Sequence, residues 1–166
     1  MGNRNLSRYP SCMQPLPHLY SVTAAAAATG IVGLSANDLP SLRIAAPAEF
    51  GGPGDQWSPE SLLAGAVASC FLLSFRAVAR AMHLQWVRLE VAVDATLDRK
   101  EHVTQFTNVI VHAKLLVPAA ADVALCQRAL QKAEHGCLVA NSLRCERELQ
   151  TEIVRMSASQ PLSLSA

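Results

Sequence analysis

The sequence predicts an α+β protein in which antiparallel strands wrap a long central helix. Three observations carry that expectation. Residues 58 to about 83, SPESLLAGAVASCFLLSFRAVARAMH, hold no charge from Ser61 to Phe75 and place Leu62, Leu63, Val67, Phe71, Leu72 and Phe75 on more than one helical face. Residues 86–97 and 107–117 alternate apolar and polar, the period of a half-buried strand. Residues 118–136 return to helical spacing. A chain of 166 residues, 51% hydrophobic, is sized for one domain with a substantial core, expected over residues 19–155.

Residues 1–18, with three prolines and no periodicity, read as a flexible arm in which Cys12 is incidental. The first 37 residues carry Arg4 and Arg8 but no acid, faintly like an organellar transit segment; a disordered tail is the preferred reading. A first strand is expected within Tyr20 to Thr29, although its alanines suit a helix equally. Short strands follow at Ile31 to Leu34 and Leu42 to Ala45, separated by turns, making a small antiparallel meander. The loop EFGGPGDQW, residues 49–57, has three glycines that let backbone pass close to other groups and feed the central helix.

Ser58 is a good N-cap, Pro59 suits the first helical position, and Glu60 meets the positive end of the helix dipole. Arg76 and Arg80 interrupt the apolar run short of the ~20 residues a membrane span needs, so the reading is a core helix of a soluble protein. In the strand from Trp86 to Leu97, Leu89, Val91, Val93 and Ala95 face one way and Arg88, Glu90 and Asp94 the other. A charged turn is expected over Asp98 to His102, and then a second strand with Thr107, Val109, Val111, Ala113, Leu115 and Val117 inward. Pro118 is expected to open the next helix and Gly136 to close it in a left-handed C-cap. One more helical turn over Leu138 to Leu143, a last strand from about Arg144 to Val154 and a flexible tail over 156–166 complete the chain.

A helix apolar on every face must be covered on every face, and one antiparallel sheet covers one side. The missing cover implies a partner chain, most simply a homodimer in which two such helices lie together. A net charge of +1 gives no electrostatic footprint for nucleic acid or an anionic membrane, so neither is expected as a partner. Five cysteines, without zinc-ligand spacing, point to a reducing, cytoplasmic setting and to individual thiols.

Cys70 sits in the middle of the central helix, where a cysteine is commonly a small hydrophobe, a description that also fits Cys126. Cys137 follows a helix-breaking glycine, possible company for free N–H groups that would favour its thiolate. Cys145 reads as structural and His135 as decoration of a helix end. Ten residues separate Glu60 from Cys70, ~15 Å of helical rise, so the two meet in one site only across two subunits or across a broken helix. To form a thiolate, Cys70 needs a cation, and Arg43, before the glycine loop, is the best-placed candidate.

SPESLLAGAVASCF and the later AEHGCLVANSL resemble the two cysteine motifs of the OsmC/Ohr family, the osmotically inducible and organic-hydroperoxide-resistance proteins, over roughly Tyr20 to Val154. Pro59, Glu60 and Cys70 match the first motif and Cys137 the second. The resemblance implies an OsmC-like fold, antiparallel sheets around long central helices in an intertwined homodimer, with the active site at the subunit interface. It implies a peroxidase in which the Cys70 thiolate attacks a hydroperoxide, Cys137 resolves the sulfenic acid, Glu60 orients an arginine, and Leu63 and Phe71 form an apolar wall that favours organic substrates. A dithiol, such as a lipoylated protein, would reset the pair, with no metal or bound cofactor. Two departures stand out: residues 29–35, TGIVGLS, lack the arginine of the hydroperoxide-resistance branch, leaving Arg43 as its substitute, and the second motif reads CLVANS where Cys-Pro is common. A non-catalytic redox-sensing or apolar-ligand-binding dimer is the alternative function. A cysteine hydrolase using His135 lacks an oxyanion hole and an orienting group.

Overall fold

The computed structural model describes residues 15–157. Most of the expected N-terminal arm, with Cys12, and most of the C-terminal tail lie outside the described residues. The described chain divides after Trp57 into two compact units.

In the first unit, β1 (Thr23–Ala25), β2 (Val32–Ser35) and β3 (Leu42–Ile44) form an antiparallel sheet in that order. This is the expected meander, with a first strand shorter than the Ala-rich stretch allowed. After β3, a single 3₁₀ turn, Ala48–Phe50, folds back so that Phe50 and Gly52 both donate to the Pro47 carbonyl at 3.0 Å. A Cβ on Gly52 would lie 1.7 Å from the Ala46 carbonyl oxygen, so the close approach that requires glycine is to the loop's own backbone. The Ala45 N–H then reaches the Trp57 carbonyl at 3.0 Å, closing the loop at its base.

The second unit begins with α1 (Pro59–Ala81), whose start is as expected from Ser58 and Pro59. Ser58 Oγ accepts from the Ser61 N–H at 3.1 Å and Ser61 Oγ accepts from the Ser58 N–H at 2.8 Å, a capping box built from two serines. The helix runs unbroken for 23 residues, long and apolar enough by composition to cross a membrane despite its two arginines. Its stripe Val67, Phe71, Phe75 and Ala79 is nevertheless buried in a protein core, as in a core helix.

β4 (Arg88–Lys100) and β5 (Val103–Val117) form the expected hairpin, with Leu89 and Val109, Val111, Ala113, Leu115 and Val117 buried. The turn is tighter than a five-residue charged loop. Pairing continues to Lys100–Val103, and Glu101 and His102 make the turn at φ 51° and 67°. The register shifts between Thr96 and Leu97, leaving Thr107 as a bulge residue instead of the first member of the apolar face.

α2 (Val123–His135) starts five residues after Pro118, because Asp122 is the cap: its carboxylate accepts from the N–H groups of Ala124 and Leu125 at 2.8 and 3.1 Å. α3 (Leu138–Asn141) is the expected single turn, and β6 (Glu146–Arg155) is the last strand, with Cys145 just before it. β6 pairs with β5 in parallel, reached through the α2 crossover, so the second sheet, in the order β4–β5–β6, is mixed instead of purely antiparallel. Met156, assigned to the tail, still donates to the Val117 carbonyl at 2.9 Å. The core of this unit joins the α1 stripe to Cys126, Ala129, Leu130 and Ala133 of α2 and the inward residues of β4 and β5. Phe75 and Trp86 meet edge to face, centroids 5.3 Å apart.

Candidate active site

Glu60, Leu63, Val67, Cys70 and Ser74 follow one another on α1 at three- and four-residue steps, so they form one stripe along the helix. The segment that joins α2 to α3 lies against the middle of that stripe. Ser74 Oγ donates to the Gly136 carbonyl at 3.2 Å, and the Cys137 sulfur lies 3.9 Å from the Val67 carbonyl oxygen. Cys70, between these two anchor points, is thereby set beside Cys137, near enough for its thiol to bear on the titration of the other. Both are free thiols. Residues 67 positions apart in sequence share one small site.

Cys137 is buried and serves as the N-cap of α3. Burial pushes its thiol above the ordinary value of 9.0; the N–H groups of Ala140 and Val139 pull the other way, and the neighbouring Cys70 adds to the upward shift. The free N–H groups read from the sequence are therefore present, but desolvation outweighs them and disfavours the Cys137 thiolate. Cys126 is likewise buried in the core with its thiol pushed up, first by burial and then by the Asp122 charge, the small hydrophobe that its spacing indicated. Cys145 is half-buried against the core.

The other expected site residues divide. Glu60 is in the first turn of α1, and its Oε2 is buried without a hydrogen-bond partner among the described residues. α1 is continuous between Glu60 and Cys70, so the ~15 Å separation stands and the broken-helix alternative is removed. Arg43 lies on β3 opposite Gly33 with an exposed side chain, and it makes no hydrogen bond or ion pair among the described residues. Leu63 is half-buried on the Cys70 stripe. Phe71, expected on the apolar wall, is instead 0% exposed inside the core, one residue and ~100° around the helix from Cys70. His135 is exposed and its Nδ1 is engaged by the Gln131 carbonyl at 2.8 Å, in keeping with decoration of a helix end.

Two residues near the thiols escaped the sequence reading: Ser74 and Asn141. Each follows a cysteine by four positions, Cys70 and Cys137 respectively, and that spacing on a helix is the signal that identifies them. A concavity of about 370 Å³ lies elsewhere, on the polar face of the second sheet, lined by Glu90, Ala92, His112, Lys114 and Glu152. Its Lys114 is ion-paired with Glu152 and its His112 hydrogen-bonded to Asp94, each at 2.9 Å, and no cysteine lines it. Among the described residues no cluster of His, Cys, Asp and Glu could hold a metal ion.

The sequence profile of the family described as OsmC-like protein matches residues 52–152, more than half of the chain. An uncharacterized protein of Bacillus subtilis, YmaD, is 27% identical over 112 residues, 66% of this chain and 75% of that protein. An OsmC-like protein of unknown function from Vibrio cholerae superposes with a TM-score of 0.74 at 15% identity, covering 83% of this chain and 100% of the other. Organic hydroperoxide resistance proteins from Legionella pneumophila and Elizabethkingia anophelis superpose with TM-scores of 0.65 and 0.67 at 24% and 21% identity, covering 82% and 85% of this chain and 98% and 100% of theirs. At these identities the likeness to solved structures shows the fold, two three-stranded sheets with a long helix and two shorter ones.

Proposed function

The chain belongs to the OsmC-like protein family, and from that premise we propose that it is a thiol-dependent peroxidase that reduces organic hydroperoxides to alcohols. The observation that carries this reading is the Cys70–Cys137 pair: two free thiols, one half-exposed and one buried, brought side by side where the Gly136–Cys137 segment is anchored on Val67 and Ser74 of α1. Cys70 is half-exposed and Cys137 is buried, so a peroxide from solvent reaches Cys70 first and Cys137 is left to resolve. Cys70 as thiolate attacks the distal peroxide oxygen; the O–O bond breaks, the alkoxide leaves and takes up a proton, and the sulfur becomes a sulfenic acid. Cys137 then attacks that sulfur, releasing water and forming the disulfide. An external dithiol, such as a lipoyl group, reduces the disulfide and is itself oxidised to a cyclic disulfide.

The working form in this reading is a homodimer. Among the described residues of one chain α1 buries a narrow stripe, while Leu73 is 59% exposed and Ala77 is open to solvent. A second copy covers that face. It also answers the separation of Glu60 from Cys70, because Glu60 of one protomer approaches Cys70 of the other. There the Glu60 carboxylate, with its unpartnered Oε2, orients an arginine for which Arg43 is the candidate. Half-buried Leu63 supplies apolar wall beside Cys70 and favours an alkyl hydroperoxide over hydrogen peroxide.

Turnover tests the reading against a redox-sensing dimer. With cumene hydroperoxide and dihydrolipoamide, the reduced protein consumes many equivalents of peroxide and Cys70→Ser consumes none above background. A wild type that reacts once and stops is a sensor and ends the peroxidase assignment.

A further inference from the structure

The resolving step makes a strict geometric demand. The two sulfurs must close to a bond of about 2.05 Å with a narrow range of torsion, so the backbone that carries Cys137 has to be held. That backbone is the end of a helix, where carbonyl groups have no partner within the helix. Gly136 does not turn left-handed here; its φ is −86° and its ψ −1°, so it provides no left-handed cap of the kind that ties off such carbonyls. Side chains do it instead. Asn141 Nδ2 donates to the His135 carbonyl at 2.8 Å, reaching back six residues and closing a ring of backbone around Cys137. Its other side-chain atom, Oδ1, accepts from Arg147 Nη1 on β6 at 2.7 Å, and the same guanidinium nitrogen is 3.8 Å from Glu134 on α2. Asn141 is thus held in one amide orientation, with its N–H toward His135. Its main-chain N–H closes the turn of α3 on the Cys137 carbonyl at 2.9 Å, and the Cys137 N–H binds the Glu134 carbonyl at 3.1 Å.

We propose that Asn141, oriented by Arg147, is a positioning residue for the resolving step, holding the Cys137 thiol at Cys70 in the place that a left-handed glycine cap or a rigid proline would fill. This rests on the peroxidase reading above and adds to it which side chains make the second cysteine competent. Asn141 touches neither sulfur; it acts through the loop. Losing its bond to His135 leaves the peroxide-reducing step at Cys70 in place and slows the capture of the sulfenic acid.

The experiment separates the two steps. Reduced full-length protein is mixed with one equivalent of cumene hydroperoxide; Cys70 sulfenic acid is trapped with dimedone, and the Cys70–Cys137 disulfide is quantified by acid quench and peptide mass spectrometry over time. Asn141→Asp keeps an oxygen for Arg147 but has no donor for the His135 carbonyl. It is expected to slow disulfide formation by about two- to tenfold, the range for one net hydrogen bond, with a matching rise in trapped sulfenic acid and an oxidation rate within about twofold of wild type. Arg147→Ala shifts the same ratio in the same direction, and Arg147→Lys, which keeps a donor, restores part of it. Wild-type disulfide kinetics in Asn141→Asp overturn the proposal, as does an equal slowing of both steps, which marks a general structural defect. A wild type that forms no Cys70–Cys137 disulfide brings down the peroxidase reading itself, and the positioning role with it.

Discussion

The Cys137 sulfur lies 3.9 Å from the carbonyl oxygen of Val67, one helical turn before Cys70 on the same face of α1. A thiol placed there is out of water, makes a weak S–H···O contact to that carbonyl and lies beside Cys70. Burial disfavours its thiolate.

That placement predicts an order of reactivity. Native reduced protein treated with a limiting amount of iodoacetamide near pH 7.5 should carry the label on half-exposed Cys70 well before buried Cys137 and Cys126, by a factor on the order of ten or more. Peptide mass spectrometry reads it. Equal labelling of Cys70 and Cys137 contradicts the burial of the second thiol.

The same burial sets a dependence on pH. The thiols of Cys126 and Cys137 have folded-state values above their ordinary 9.0, so below that pH both states are protonated and the stabilising balance is intact. As pH rises through about 9, the unfolded chain releases these protons while the folded chain retains them, and stability falls. Urea denaturation between pH 7.5 and 10.5 should show this decline, and Cys126→Ala should flatten it. An unchanged slope in the variant removes Cys126 as a cause.

Phe71 and Leu63 separate core from wall. Phe71→Ala empties a fully buried site and should cost about 3–5 kcal/mol of stability, measured by denaturation at fixed protein concentration. Leu63→Ala should cost less than about 2 kcal/mol, since the side chain is only half-buried, and should instead weaken the preference for cumene hydroperoxide over hydrogen peroxide. A Phe71→Ala protein that is as stable as wild type but altered in peroxide preference would return that residue to the wall.

The open face of α1 predicts the assembly. Leu73→Glu places a charge on an apolar helix surface and should turn a dimer into a monomer by light scattering coupled to size exclusion. Loss of turnover should accompany loss of the dimer, because Glu60 and Cys70 of one unbroken helix cannot meet. A fully active monomer contradicts the shared site.

What the sequence made legible was local or periodic. Ser58 and Pro59 start α1 because capping is decided within four residues, and the faces of β4 follow from a strict period of two. The parallel seating of β6 was not legible, since it depends on where α2 deposits the chain and not on the pattern of β6 itself. In α1, apolar on every face, composition cannot say which stripe meets the core, so the core place of Phe71, a wall residue by the family resemblance, is not legible from it. Gly136 carries the mark of a left-handed cap, but Asn141 takes the His135 carbonyl and removes the need for one. For Cys137 the sequence showed the helix start and concealed the burial that outweighs it.

The most direct test of the account is the fate of Cys70 after one equivalent of cumene hydroperoxide. The account predicts a Cys70–Cys137 disulfide in wild type, a Cys70 sulfenic acid trapped by dimedone in Cys137→Ser, and no peroxide loss above background in Cys70→Ser. Peroxide consumption that persists in Cys70→Ser, or oxidation that maps to Cys145 with Cys70 still reduced, would contradict it.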